Sequence, residues 1–202
     1  IKTDSSGNPQ WDLTFGDTLS YDIGGDIRQT NDGGYIITGE FNDSLCLIKI
    51  NSFGIEQWRE TYDYGRGKSV EQTSDGGYII CGDNGENNLI NGWGGGYDLP
   101  WIIKTNSNGI IVWDSVLQVG GDDDLYSIKQ TNDGNYVSTG RFNDTIINSF
   151  DLWFLKIDSL GSIMHDKTLS SSFWLEGKDI QKTNDNGYII CGLYGDSDDI
   201  YS

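Results

Sequence analysis

The sequence is organised around the stretch QTNDGGYIITG at positions 29–39. Closely similar stretches follow three more times: QTSDGGYIICG at 72–82, QTNDGNYVSTG at 130–140 and KTNDNGYIICG at 182–192. Such self-similarity at a spacing of tens of residues is typical of repeat architectures, in which one unit cannot bury its own apolar face. We therefore expect residues 1–202 to form a single domain, or part of one, made of copies of one unit.

Each copy predicts four short strands, and the third copy shows them most clearly. Strand A spans 125–131, strand B 136–140, strand C 151–157 and strand D 162–169. Runs of β-branched and aromatic residues bounded by Gly, Asn and Asp are typical of strands, and no stretch has convincing helical periodicity. Four strands repeated about every 50 residues predict an all-β fold, a β-propeller of four-stranded antiparallel blades.

The predicted blade-equivalents cover roughly 22–62, 68–117, 125–169, and 177–202 completed by 1–15. Strand C of the last one is divided between the two ends of the sequence, because 199–202 followed by 1–4 spells DIYSIKTD and aligns without a gap on 151–158. Two interpretations stay open, a closed four-blade ring and a part of a larger propeller. The start at Ile1, without an initiator Met or a signal peptide, favours a processed or partial product of a larger polypeptide.

Two turns are predicted at one end of each blade. Positions 33–34 and their equivalents carry only Gly or Asn, the residues that best tolerate positive φ. This predicts a type I′ turn between strands A and B, with both central residues left-handed. The turn between strands C and D begins with Asp or Asn and ends with Gly, which predicts a turn capped by its first side chain. The first residues of these turns are Asp4, Asn51, Asn106 and Asp158.

One lysine recurs in strand C of every copy, at Lys2, Lys49, Lys104 and Lys156. A lysine in an apolar strand can bury its stem and keep its ammonium group polar. Since the two turns lie at the same end of the blade, we expect each lysine to reach an aspartate of the A–B turn. The candidate aspartates are Asp32, Asp75, Asp133 and Asp185.

These strands and turns resemble a known class of repeat. The shared pattern is Asp-x-Trp followed by two apolar residues and Lys-x-Asp-x-x-Gly, then a strand Trp, then Gln-Thr-x-Asp-Gly-Gly-Tyr-Ile-Ile-x-Gly. It is similar to the propeller-type repeats of large secreted and surface proteins, which are abundant in Bacteroidota and often exported by type IX secretion. The resemblance covers essentially the whole chain and brings no catalytic residue. It implies an extracellular or cell-surface protein with a binding, adhesive or scaffolding role.

Charge restricts the partners of this chain. Its formal net charge is −18, which repels nucleic acid phosphates and anionic membrane surfaces. No apolar run reaches the ~18 residues of a membrane-spanning helix, so neither nucleic acid nor membrane insertion is expected. The remaining partner classes are proteins and glycans.

Few residues suit nucleophilic or metal chemistry. Cys81 and Cys191 occupy a strand B position that holds Thr in the other copies, and no metal-type Cys spacing occurs, so we expect the three cysteines to be free. The only histidine, His165, stands four residues after Gly161, where the other copies carry a packing Trp. We interpret His165 as a structural replacement.

Acidic clusters are the candidate metal ligands. Asp122, Asp123 and Asp124 follow one another in a loop between strands D and A. Calcium binds several carboxylate and carbonyl oxygens in irregular loops, so calcium is the one cofactor that these acids suggest, although no Asp-x-Asp-x-Asp-Gly loop is present. Solvated loop acids are the alternative. Paired loop carboxylates could also serve a glycosidase.

Aromatic residues outside the repeat register are the candidate ligand-binding residues. Trp93 and Tyr97 lie in a glycine-rich loop between strands B and C, and Trp174 lies in a D–A loop. These variable loops share one end of a propeller, and loops on a rigid scaffold often carry function. Exposed aromatic rings suit sugars or protein hot spots, while packing over the blade ends is the alternative.

The favoured function is that of a non-catalytic extracellular binding or scaffold module of a larger surface protein, which contacts protein or glycan through its variable-loop face. Two alternatives stay open: a secreted enzyme that acts on polysaccharide with loop carboxylates, and a structural subunit of an extracellular assembly.

Overall fold

The computed structural model of the chain describes residues 1–16, 22–85, 99–117, 122–144 and 149–195, and all regular structure in these ranges is β. The strands are β1 (Lys2–Thr3), β2 (Pro9–Trp11), β3 (Ile23–Gln29), β4 (Tyr35–Phe41), β5 (Ser44–Ile50), β6 (Glu56–Gln72), β7 (Tyr78–Asn84), β8 (Leu99–Thr105), β9 (Ile111–Val116), β10 (Asp124–Gln130), β11 (Tyr136–Asp144), β12 (Ser149–Ile157), β13 (Ile163–Leu169), β14 (Trp174–Lys182) and β15 (Tyr188–Gly195). Within these ranges, no helix could cross a membrane.

The strands form antiparallel units that follow the repeat. The order β10-β11-β12-β13 makes one complete four-stranded sheet, which we name unit 3. A seven-stranded sheet runs β3-β4-β5-β6-β7-β8-β9 and holds unit 1 (β3 to the first half of β6) and unit 2 (the second half of β6 to β9). Two half-units remain: the sheet β14–β15, with the sequence of strands A and B, and the sheet β1–β2, with that of strands C and D.

Units 1 and 2 are joined by one uninterrupted strand. The first half of β6 pairs with β5 and its second half pairs with β7, with the change at Tyr64 and Gly65. The sequence predicts separate strands D and A here, with blade-equivalents 22–62 and 68–117. The structure instead extends strand D directly into strand A, and Gly65, where the pairing passes from β5 to β7, has φ 153°.

The two half-units stay in separate sheets, so the described residues form no closed ring. β14–β15 packs against unit 3, through β10, β11 and β12. β1–β2 lies instead against unit 1, where the Trp11 ring meets Tyr35 edge-on at 6.1 Å. The all-β prediction is confirmed, while closure into four blades stays a prediction.

The A–B turns differ from the type I′ prediction. Only the first of the two predicted positions is left-handed, as at Gly33 (φ 80°) and Asn186 (φ 66°). The Gly33 amide donates to the Thr30 carbonyl, and the Thr30 amide donates to the Gly34 carbonyl. This is a three-residue hairpin loop in which a left-handed residue ends the turn. The sequence prediction was wrong because Gly and Asn at two adjacent positions satisfy either turn.

The C–D turns form as predicted. In unit 1 the Asn51 side-chain oxygen accepts the amides of Phe53 and Ile55, and Gly54 takes φ 83°. The same contacts recur in the other copies, with Asp4, Asn106 and Asp158 as the capping residues. An Asp or Asn that bonds amides two and four residues on explains why only these two residue types occupy the position.

Aromatic contacts stack the units. Trp58 of unit 1 lies 5.9 Å from the Tyr78 ring of unit 2, and Trp113 of unit 2 lies 6.0 Å from Tyr136 of unit 3. Each tryptophan belongs to a strand D and each tyrosine to the strand B of the following unit. These rings belong to the apolar clusters that join consecutive units, one of which includes the fully buried Ile80.

Candidate binding face

Each complete unit has a repeated end, which carries the A–B and C–D turns, and a variable end, which carries the B–C and D–A connections. At the repeated end, strand C lysines meet A–B turn aspartates as the sequence predicts. Lys49 Nζ lies 2.9 Å from Asp32, and Lys104 Nζ lies 3.0 Å from Asp75. Lys156 Nζ lies 3.4 Å from Asp133. This end of the unit is therefore held by its own recurring charges.

The second position of the A–B turn controls how closely these charges approach. A Cβ on Gly34 would lie 2.3 Å from the Ile50 carbonyl oxygen and 2.6 Å from Lys49 Nζ, so glycine lets the turn approach strand C and its ammonium group. In unit 3 the position is Asn135. There Lys156 is 20% exposed, whereas Lys49 is 6% exposed. Glycine at this position thus serves close packing rather than positive φ.

The turn carboxylates are strongly acidic. Burial raises the pKa of Asp75, but hydrogen bonds from Thr73, the Gly77 amide and Lys104 outweigh it and lower the pKa to about 2. A hydrogen bond from Thr30, followed by one from Lys49, likewise holds the pKa of Asp32 well below its usual range. These carboxylates are ionised at neutral pH, where they accept hydrogen bonds from the turn and from the strand C lysine.

Glutamines bridge neighbouring units at the same end. Gln72 Oε1 accepts the Asn31 amide of unit 1 at 2.8 Å, and Gln130 Oε1 accepts the Ser74 amide of unit 2 at 2.7 Å. The side-chain nitrogen of Gln130 donates to the Gly134 carbonyl of its own turn. Gln72 and Gln130 therefore tie the turns of units 2 and 3 to the preceding unit.

At the variable end, buried charges connect the units. Lys68 of unit 2 bridges Asp83 of its own unit, at 2.8 Å, and Asp124 of unit 3. Burial lowers the pKa of Lys68, but these two carboxylates outweigh it and the pKa is raised. Arg141 continues the network, with Asp124 at 3.1 Å and Glu176 at 3.7 Å. Lys68–Asp124 and Arg141–Glu176 join different units, whereas Lys68–Asp83 and Arg141–Asp124 lie within one unit.

A β-bulge in strand A orients part of this network. The pairing shifts in β6, β10 and β14, which leaves Lys68, Tyr126 and Lys178 as extra residues. The side chain of a bulge residue points in a different direction from the side chains of the regular ladder. The Lys68 and Lys178 ammonium groups lie over the Tyr126 ring, at 5.2 Å and 3.7 Å from its centre. The A strands of β6, β10 and β14 thus bring two ammonium groups to one aromatic ring.

The three acids predicted to bind calcium have protein partners. Asp122 lies 2.9 Å from Arg141, and Asp124 contacts Arg141 and Lys68. Asp123 is fully buried and accepts the Asn143 amide at 2.6 Å. In the described ranges, no group of three or more His, Cys, Asp or Glu side chains could hold a metal ion. Calcium stays a prediction that calorimetric titration decides.

Trp174 lies at the variable end, in an aromatic stack. Its ring is parallel to Phe150 within 20°, at 4.7 Å between centres, and the Arg141 guanidinium lies 4.6 Å from the centre of the Phe150 ring. The Trp174 indole N–H is buried and has no hydrogen-bond partner among the described residues. We name Arg141, Phe150 and Trp174 the aromatic stack. The other two predicted aromatics, Trp93 and Tyr97, lie outside the described residues.

The histidine and the cysteines keep the positions that the repeat predicts. His165 pairs with Lys156 at the same register at which Trp58 pairs with Lys49 and Trp113 with Lys104, and this confirms its position in the repeat. The three cysteines are free, with Cys46 and Cys81 buried and Cys191 exposed.

The four A strands also share one cavity at the repeated end. It measures about 340 Å³ and is open to solvent. It is lined by Arg28, Gln29, Asn31, Glu71, Gln72, Lys129 and Gln181, which come from β3, β6, β10, β14 and the first A–B turn. Glu71 and Gln72 are already bonded to neighbouring units.

Comparison with known proteins gives no assignment. No protein-family model and no curated protein matches the chain. The functional conclusion therefore rests on the geometry.

Proposed function

We propose that the chain is a non-catalytic binding or scaffold module of an exported protein, built from propeller blades, and that it contacts a protein or a glycan through its variable end. The aromatic stack is the observation that carries this proposal. Flat aromatic faces beside a guanidinium group suit sugar rings and protein hot spots, where Trp and Arg are enriched.

Trp174 of the aromatic stack occupies a position at which the repeats differ in sequence. The position of Trp174 holds Asp122 in unit 3 and Tyr64 in unit 2, so the repeated frame does not require a tryptophan there. The indole N–H is buried without an acceptor among the described residues, so a Trp there does not serve a hydrogen bond of the frame. By contrast, the turn aspartates and the bridging glutamines of the repeated end already bond to other residues of this chain.

Propeller organisation is supported by how the units meet. Consecutive units stack through strand D tryptophans and strand B tyrosines, and all four A strands line one cavity. A propeller places the first strand of each blade around such an axis. The net charge of −18 and the resemblance of the repeat to those of secreted proteins support an extracellular location.

Binding measurements with two matched variants test the proposal. The labelled full chain is applied to a glycan array and to candidate surface proteins, and positive ligands are then titrated. Trp174→Ala is expected to weaken binding at least tenfold, whereas Phe53→Ala is expected to leave it unchanged. Phe53 is an equally aromatic residue, 76% exposed in a C–D turn at the repeated end.

Equal loss in both variants, or no effect of Trp174→Ala on any ligand that binds, would count against the variable end as the binding face. Hydrolysis of a polysaccharide by the wild-type chain would replace the proposal with the enzymatic alternative.

A further inference from the structure

The cavity shared by the A strands is lined only by polar and charged side chains. It measures about 340 Å³, at the small end of the range for ligand sites, which is roughly 300–1,000 Å³. Its seven described lining residues include no aromatic ring and no aliphatic side chain. Such a lining offers an apolar ligand or a sugar ring no face on which to pack. A ligand in this cavity is therefore held by hydrogen bonds and charge.

Each A strand contributes one lining side chain from the same register position, the residue just before the repeated phrase. These residues pair across the strands with apolar residues of strand B: Arg28 with Ile36, Glu71 with Ile79, Lys129 with Val137 and Gln181 with Ile189. The repeat therefore fixes where the four side chains lie, whereas their charge changes from unit to unit.

Arg28 has unused hydrogen-bond donors at the cavity. Its Nε donates to Asp26 Oδ2 at 3.1 Å, and its two Nη groups donate to no described residue. The Arg28 side chain is 44% exposed and lines the cavity, so these nitrogens are accessible to a ligand. The two Nη groups form a fork of parallel donors, and this geometry matches the two oxygens of a carboxylate.

Glu71 carries the opposite charge and has one free oxygen. Its Oε2 accepts the Gln130 amide at 3.1 Å, while its Oε1 accepts from no described residue. Arg28 lines the same cavity but forms its ion pair with Asp26, so the Glu71 carboxylate has no cation partner in the described part of the chain. An ammonium group suits this oxygen, because its hydrogen bond to a carboxylate is strengthened by charge.

Lys129 is buried in the cavity wall and makes only long contacts. Its Nζ lies 3.3 Å from both Ser127 Oγ and the Ile128 carbonyl oxygen, and 3.8 Å from the Asp179 carboxylate. A buried ammonium group needs charge or hydrogen bonds to compensate for its lost hydration. Lys129 therefore adds positive charge to that of Arg28, and this charge favours a ligand that carries a carboxylate.

We propose that this cavity binds a small zwitterion, an α-amino acid with an uncharged polar side chain. Its carboxylate lies on the Arg28 fork and its ammonium group on Glu71 Oε1. The side-chain oxygens of Gln29 and Gln181 accept from no described residue, and they take the remaining donors of the ligand. A ligand without net charge also avoids the repulsion that the net charge of −18 imposes on acidic ligands.

This site is separate from the aromatic stack, because the A strands form the cavity at the repeated end whereas the stack lies at the variable end. Loss of one site therefore leaves the other proposal standing.

Titration calorimetry of the full chain with glycine, L-serine, L-asparagine and L-glutamine tests the site. At least one of these amino acids is expected to bind, and L-aspartate is expected to bind more weakly than L-asparagine. Two analogues of serine each lack one charged group: ethanolamine has no carboxylate and 3-hydroxypropanoate has no ammonium group. Each analogue is expected to bind at least tenfold more weakly than serine, because one charge-assisted contact is lost.

Two variants assign the contacts. Arg28→Gln and Glu71→Gln are each expected to weaken amino-acid binding at least tenfold. Arg28→Gln should also remove the preference for serine over ethanolamine, and Glu71→Gln should remove the preference for serine over 3-hydroxypropanoate. The glutamine in Glu71→Gln keeps an oxygen that can accept the Gln130 amide, so the contact between units is retained.

Matched controls are Arg59→Gln and Glu56→Gln, which remove the same charges from an ion pair in strand D of unit 1, outside the cavity. Both controls are expected to bind the amino acid as the wild type does. Circular dichroism and the melting temperature establish that each variant is folded.

Three results would overturn the proposal. The first is that none of the four amino acids binds at millimolar concentration. The second is binding that persists unchanged in both Arg28→Gln and Glu71→Gln. The third is equal affinity of the wild type for serine and for both analogues, and this result decides the question even if a variant does not fold.

Discussion

A Cβ atom on Gly140 would collide with the carbonyl oxygen of Asp124 on the neighbouring strand A, far inside the 3.0 Å limit of real Cβ contacts. The same approach recurs at Gly39, Gly82 and Gly192, against the carbonyls of Ile23, Arg66 and Glu176. Strand B therefore crosses the strand A bulge so closely that the final glycine of the repeated phrase has no substitute. Glycine is required here by the contact between strands and not by backbone conformation, since none of these four glycines has positive φ.

Gly140→Ala is expected to destabilise the fold by about 2–4 kcal/mol, because backbone rather than a flexible side chain must move. Gly24→Ala is the matched control, since a Cβ there meets nothing within 4 Å, and its effect should stay within ~1 kcal/mol. Urea denaturation measures both. Equal stability of the two variants would contradict the close approach.

Lys104→Met is expected to lower the free energy of unfolding by about 1 kcal/mol, because it removes a buried ammonium group from Asp75, which stays partly solvated. A double-mutant cycle with Asp75→Asn isolates the coupling between the two side chains. If Lys104→Met leaves the melting temperature unchanged, the pair contributes little to stability.

The Asp75 carboxylate predicts a pH dependence. Its folded pKa of about 2 lies below its usual value of 3.8, so its stabilising contribution is fully present above pH ~4 and is lost as the pH falls towards 2. The melting temperature of wild type minus that of Asp75→Asn should therefore shrink as the pH is lowered from about 5 to about 2. Acid also relieves the general charge repulsion, but it does so in both proteins, so the difference between their melting temperatures removes this effect. A constant difference would show that Asp75 is not preferentially ionised in the folded state.

Gln130→Ala is expected to cost about 1 kcal/mol, the net value of a typical hydrogen bond, and to raise the hydrogen-exchange rate of the Ser74 amide in the preceding unit. Gln181→Ala is the control, because the Gln181 side chain bonds Asp179 on its own strand. Exchange at Ser74 that is insensitive to Gln130→Ala would exclude the bridge between units 2 and 3.

Some features that join residues of one repeat could be predicted from sequence. The Lys49–Asp32 pair and the turn capped by Asn51 join residues of one unit, so their spacing recurs in every copy. The turn conformation at Gly33 and Gly34 could not be predicted, because glycine admits several backbone conformations and only the hydrogen bonds distinguish them.

Of the candidate binding face, the sequence indicated Trp174 but not its partners. Phe150 and Arg141 come from strands C and B of unit 3, and no spacing in the sequence relates them to a residue of the next copy. The acids Asp122 and Asp124 looked like free loop carboxylates. Arg141 meets both within unit 3, where it pairs with Asp124 across β10 and β11, and Lys68 comes to Asp124 from unit 2.

The sequence by itself determined the four-strand unit, its capped turns and the pair of strand C lysine and turn aspartate seen in units 1 to 3, because these arise from short-range contacts that repetition displays. The tertiary structure alone decided how units join, through the continuous β6, the Gln130 bridge and the salt bridge from Lys68 to Asp124. The physical reason is that contacts between units link residues of different copies, whose pairing depends on how whole sheets stack and twist.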